Sequence, residues 1–196
     1  VGSFARTALE VLDHDLWKIH CFEPNKKGYG AIVSSLEPHL GKRVFAFNVG
    51  IGDTVGTCPL FGNGPGSVLG SLYQRRLDHF GITMEKVEDV PITTLEQVCQ
   101  ENGINRIHYL KLDVEGHEVK ALQGARSLLD DGRIDFVQFE FGGCNIDSKT
   151  YFQDFWYVLE KYRIHRIVKD GLFEIGKYTE KDEIFETQNF LAERRE

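Results

Sequence analysis

The sequence predicts an α/β fold with a mainly parallel sheet and an antiparallel strand at its C-terminal end. Three observations carry this. Short apolar runs alternate with helical segments of about 10 to 16 residues, the rhythm of a parallel sheet crossed by helices. Several of those runs stop at an acid or a glycine turn. Near the C-terminus strands follow one another with no helix of comparable length, which antiparallel pairing allows.

Ser3, followed by apolar Phe4, Ala8, Leu9 and Leu12, opens a helix directly after Gly2. A helix so early implies a strand before it, so the expectation is one domain over residues 1–196, truncated at its N-terminus. KIHCFEP (18–24) is a strand stopped by Glu23 and Pro24, and Tyr29, Ile32, Val33 and Leu36 then recur at helical spacing. RVFAFNVGIGD (43–53) is a second strand running into glycines. GTCPLFGNGPGS (56–67) reads as a loop, or a hairpin followed by a loop, and 67–81 as an irregular helix suited to a lid.

VPITT is a short strand, Thr94 caps a helix, and Gly103 ends it. RIHYLKLD (106–113) is the next main strand, followed by one helix burying Val119, Leu122, Ala125 and Leu129. RIDFVQFEFGG (133–143) is another strand, ending in Glu140. A helix starts at Asp147 or Ser148 and buries the aromatic run Tyr151, Phe152, Phe155 and Trp156. A hairpin turns on Asp170 and Gly171, and ETQNFLAERR is the last strand.

A chain of 196 residues can bury a substantial core, and 41% hydrophobic with 27% charged residues is ordinary for a globular protein. A net charge of -7 argues against nucleic acid or an anionic membrane surface as partner. Four scattered cysteines without C-x-x-C spacing favour a reduced, cytoplasmic chain and disfavour zinc, and no spacing of ligands points to another metal. No apolar run is long enough to span a membrane.

In open α/β sheets, ligands bind outside the carboxyl ends of the strands. Glu23, Asp53, Asp113, Glu115 and Glu140 all fall there, so they crowd one rim. An acid in the position of Glu23 accepts the hydrogens of ribose hydroxyls, against the plainer reading of a strand stop. Gly2 is then the last glycine of a loop that cradles phosphate or methionine. Lys111, Asp113 and Glu115, spaced by two, share one face of an extended chain, and a lysine in a buried strand needs such partners. Whether that cluster is structural or catalytic stays open, and Asp113 also reads as a helix cap. Glu118 reads as helix-start chemistry. His117 reaches the rim as a candidate base, His108 packs against a helix, and His14, His39 and His79 are surface or helix-end residues.

With these motifs in order, the chain resembles the FkbM-type methyltransferases, a branch of the class I S-adenosylmethionine-dependent enzymes. The carrying residues are FEPN (22–25), NVGIGD (48–53), YLKLDVEGHEVKALQGA (109–125) and NFLAERR (189–195), which together span nearly the whole chain. The resemblance implies a Rossmann-like class I methyltransferase fold, with helices on both faces of a seven-stranded sheet whose last strand is antiparallel. It implies S-adenosyl-L-methionine as cofactor, with Glu23 on the ribose, Asp53 facing the adenine amino group, and Asp113 and Glu115 near methyl donor and acceptor. The family's first strand and most of its D-x-G-A-N-x-G loop are missing before Val1.

The expected reaction is O-methylation of a hydroxyl on a sugar, glycan or small natural product. Alignment of oxygen, methyl and sulfur carries much of the catalysis, and a base helps a weak hydroxyl nucleophile. Asp113 and Glu115 are the first candidates for that base and His117 the third. Two other readings compete: a nicotinamide-dependent Rossmann oxidoreductase, and a degenerate domain that survives as an interaction module. The C-terminal hairpin and strand favour the methyltransferase over the first, and intact Glu23 and Asp113 count against the second.

Overall fold

Gly2, at φ +74°, turns the chain into helix α1 (Ser3–Val11). The structure is a computed structural model describing residues 2–12, 16–67 and 69–195, so His14 lies outside it. After α1 come β1 (Ile19–Phe22), α2 (Lys26–Leu36), β2 (Val44–Phe47), β3 (Gly50–Ile51), β4 (Gly56–Gly62), β5 (Glu85–Thr93) and α3 (Leu95–Asn102). The second half runs β6 (Ile107–Leu112), α4 (Glu118–Gln123), α5 (Arg126–Asp130), β7 (Ile134–Phe141), α6 (Gly143–Ser148), α7 (Phe152–Val158), β8 (Tyr162–Val168), β9 (Gly171–Glu174) and β10 (Gln188–Arg194). No helix among the described residues is long and apolar enough to cross a membrane.

The strands form three sheets. β1 pairs with β2, β3 with β5 and β6 with β7, all parallel. β10 inserts antiparallel between β7 and β8, as expected of the last strand, and the expected hairpin joins β8 to β9. β4 pairs antiparallel with β5 from Gly56↔Ile92 to Gly62↔Glu85. The strands that end in the acidic rim are therefore the parallel ones, and the antiparallel ladders lie at the C-terminal edge and in the β4–β5 hairpin. Of the two readings of 56–67, the hairpin is the one that forms, and its partner is a full nine-residue strand instead of the short VPITT run.

The core lies between β6, β7, β10 and β8 and the helices α3, α4, α5 and α7. Phe139 stacks on Phe155 at 4.4 Å and on Phe190 at 5.3 Å, and Phe152 packs on Phe190 at 4.8 Å. Each such ring contributes about 2–3 kcal/mol by leaving water. The helix expected to start at Asp147 or Ser148 starts instead at Phe152. Lys149, at φ +56°, ends α6 and reverses the chain, and Tyr151 remains outside the core while Phe152 and Phe155 enter it.

The single helix expected after β6 is broken in two at Gly124 and Ala125. Gly124 lies so near the β3 loop that a Cβ there would stand 1.9 Å from the Gly52 carbonyl oxygen. A second tie fixes the rim from below. Asn48 Nδ2 donates to the carbonyls of Glu23 and Pro24, both at 2.9 Å, binding the end of β1 to the exit of β2. Asn48→Ala removes both bonds and should cost about 2 kcal/mol in urea denaturation. A loss under about 0.5 kcal/mol would show that water replaces the amide.

Candidate active site

The site is built on the turn after β6. The extended chain stops at Leu112, and Glu115 (φ +52°) and Gly116 (φ +100°) both take left-handed backbone. A side chain at Gly116 would meet the Cys144 carbonyl at 3.0 Å. Holding Glu115 in this conformation costs on the order of 1 kcal/mol, which Glu118 helps offset by accepting the Val114 N–H at 3.0 Å. The turn spreads its acids instead of lining them up. Lys111 Nζ pairs with Asp113 at 2.6 Å, whereas Glu115 turns away to Arg75 Nη1, also at 2.6 Å. The shared face expected of Lys111, Asp113 and Glu115 is thus absent, because that spacing rule holds only while the chain stays extended.

Arg75 belongs to the segment expected to be an irregular helix. Among its described residues only Asp78–Phe80 makes a helical turn. Ser71 to Arg75 form a strap across the 113–117 turn, pinned at one end by mutual backbone hydrogen bonds between Phe61 and Ser71. Ser71 Oγ donates to the Glu115 carbonyl at 2.8 Å, the Tyr73 hydroxyl meets His117 Nδ1 at 3.0 Å, and Arg75 takes the Glu115 carboxylate. Asp147 lies 3.9 Å beyond Arg75 Nε. The strap is neither helix nor strand: after the single bridge at Ser71 the chain bends at 72 and 73, and no local sequence period announces it.

On the other side of His117, its Nε2 lies beside Gly52, where a Cβ would approach it to 2.9 Å. Asp53 follows, paired with Lys120 Nζ at 2.7 Å. That bond holds the Asp53 carboxyl below its usual range. Burial pulls His117 below the ordinary imidazole value, against the pull of Asp53, so the ring is neutral at pH 7. Burial also raises Glu115, with Arg75 opposing, and raises Glu140, which has Asp113 as an acidic neighbour. Glu118 stands in the first turn of α4, as expected, but it exposes none of its surface, and burial pushes its carboxyl up to about 7.

Glu23 stands at the end of β1 over the first turn of α2. Its Oε1 accepts the Asn25 N–H at 2.9 Å, and a Cβ on Gly28 would collide with its carboxyl carbon at 2.9 Å. Burial raises its pKa, and Glu88 of β5 adds to the rise. Glu88 also accepts from Asn25 Nδ2 at 3.0 Å, a contribution from β5 that sequence reading missed. Asp53, Asp113, Glu115 and His117 therefore gather around the start of α4, with Glu23 tied to the same edge through Asn48. Gly2 packs on Ile32 and Ser35 in the second half of α2. His108 meets the edge of Trp17, with ring centres 5.1 Å apart, instead of a helix.

Acids at the ends of parallel strands, a glycine-rich turn and a half-buried imidazole stand where ligands bind in open α/β sheets. The chain belongs to the methyltransferase FkbM domain family, whose model matches residues 2–164. Its fold is similar to the crystal structure of methyltransferase FkbM from Methylobacillus flagellatus KT, with a TM-score of 0.53 and 14% identity. That likeness covers 97% of this chain and 40% of the other, so the chain spans about two fifths of that protein's length. No curated protein matches the chain.

Proposed function

We propose that the chain is the core of an S-adenosyl-L-methionine-dependent methyltransferase acting on a hydroxyl of a sugar, glycan or small natural product. The observation that carries the reading is the acidic rim around the start of α4, in a chain of the FkbM family. The residues fit the cofactor. Glu23 keeps Oε2 without a backbone partner and has glycine beneath it, which suits a pair of ribose hydroxyls. The Asp53 side chain remains about one third exposed and Asp113 more than half, so both can be reached by a ligand.

When bound, S-adenosyl-L-methionine supplies an electrophilic methyl group on a positively charged sulfur. The protein's share is to align the acceptor hydroxyl and take its proton. Of the three candidate bases, Glu115 is bound by Arg75 and Asp113 by Lys111. His117 is neutral and, among the described residues, is hydrogen-bonded to a hydroxyl and to no charged group, which makes it the best suited. The Tyr73 hydroxyl engages Nδ1 at 3.0 Å and orients the ring, so that in this reading Nε2 receives the proton. The finer fold in this reading is Rossmann-like: the β1–β2 and β6–β7 ladders are parts of one mainly parallel sheet, joined by a further strand, with helices on both faces. A cytoplasmic location belongs to the same proposal, supported by four free cysteines.

Calorimetry with S-adenosylhomocysteine and with NAD tests the proposal. The expected result is binding of the first, weakened about ten- to a hundredfold by Glu23→Ala through loss of charge-assisted bonds. Binding of NAD alone would assign an oxidoreductase instead.

A further inference from the structure

Glu118 is enclosed on every side. Its Oε1 is satisfied by the Val114 N–H, but Oε2 has no hydrogen-bond partner among the described residues. The groups that face it are acids or weaker acids: Glu115 from the turn, Glu140 from β7, Tyr73 from the strap and Cys144 from α6. The cations of the rim are committed elsewhere, Arg75 to Glu115, Lys111 to Asp113 and Lys120 to Asp53. A carboxyl with like charges around it and no cation keeps its proton to about pH 7, burial being the first cause.

We propose that Glu118 is the charge partner of a cationic ligand, protonated while the rim is empty and ionised once a positive charge is seated beside the 113–117 turn. The inference rests on the methyltransferase reading, in which the methyl donor is a sulfonium cation and its product a neutral thioether. A positive charge a few ångströms away lowers a buried acid's proton affinity by roughly ten- to a thousandfold. The O–H bond of Glu118 then breaks and its proton leaves to solvent; after methyl transfer the carboxyl recovers a proton from solvent. Linkage sets the sign. Below pH 7 the cation must expel a proton and binds more weakly, whereas the thioether binds without that demand. Affinity for the cationic form alone therefore rises with pH through about 7.

The test is titration calorimetry of the chain at pH 6.5 in two buffers of different ionisation enthalpy, with S-adenosylmethionine and S-adenosylhomocysteine as probes. The cationic probe should release roughly half a proton or more beyond the neutral one. Glu118→Gln, which keeps the acceptor for Val114, should abolish the difference and leave affinity for the thioether within about threefold. If Glu118→Gln does not fold, Glu140→Gln keeps the test open: removing that like charge should shrink the difference without abolishing it, and complete loss would assign the proton to Glu140 and overturn the proposal. Equal proton counts for both probes overturn the proposal and leave the cofactor reading intact, as does a difference that survives Glu118→Gln. Failure of both probes to bind overturns the cofactor reading and this proposal with it.

Discussion

Gly124→Ala should lower the stability of the chain by about 3 kcal/mol and shift Asp53 off Lys120. The new methyl would stand 1.9 Å from the Gly52 carbonyl oxygen and 3.2 Å from Asp53 Cα, and neither is a side-chain end that can swing aside. Overpacking against backbone costs about 1–3 kcal/mol, toward the upper end where the chain itself must move. Chemical denaturation measures the loss, and the Asp53 carboxyl should titrate nearer its ordinary value once Lys120 is displaced. Gly30→Ala is the contrast. It sits inside α2 with nothing within 4 Å of the added carbon, so it should stabilise by about 0.5–1 kcal/mol. Equal behaviour of the two variants would mean that the approach of α4 to the β3 loop is not fixed.

Arg75→Ala should be the most damaging change to the site itself. It strips the cation from Glu115 and Asp147, whose side chains are largely enclosed, and it frees one end of the strap. Breaking an ion pair so enclosed costs about 3 kcal/mol, most of it the burden of the carboxylate left behind. Burial already raises Glu115, and Arg75 holds that rise back. Without the guanidinium the folded-state pKa climbs further, so stability is kept at low pH and lost as pH rises through the new value. The deficit against the parent chain should therefore be larger at pH 8 than at pH 5. An equal deficit at both would show that packing of the arginine stem, not its charge, is what matters. Under the proposed methyltransferase reading, turnover should fall about a hundredfold, because Glu115 and Tyr73 lose their fixed positions together.

Much of this was present in the sequence. The strands ending at Glu23, Asp113 and Glu140, the Thr94 cap, the Asp170 and Gly171 hairpin and the antiparallel last strand all follow from local patterns that the structure keeps. The errors share one cause, tertiary contact overriding local preference. The helix after β6 breaks because Gly124 must meet Gly52. The strap is not helical because Ser71, Tyr73 and Arg75 find partners on a turn some forty residues away. Glu118 reads correctly as helix-start chemistry, but a sequence window carries no information about what buries that first turn. Lys111 finds the acid that its place in the strand calls for, and the left-handed turn leaves it Asp113 alone.

The strap has a consequence for engineering. Residues 56–93, the β4–β5 hairpin with the strap between its strands, look like a self-contained insertion that could be exchanged to alter acceptor choice. They are not self-contained, because Ser71, Tyr73 and Arg75 complete hydrogen bonds and an ion pair whose other halves stand on the 113–117 turn. A chimera that takes the hairpin alone from a relative would inherit a Glu115 with no counter-charge and a His117 with no hydroxyl. The transferable module is discontinuous in the chain, and successful swaps will carry both pieces.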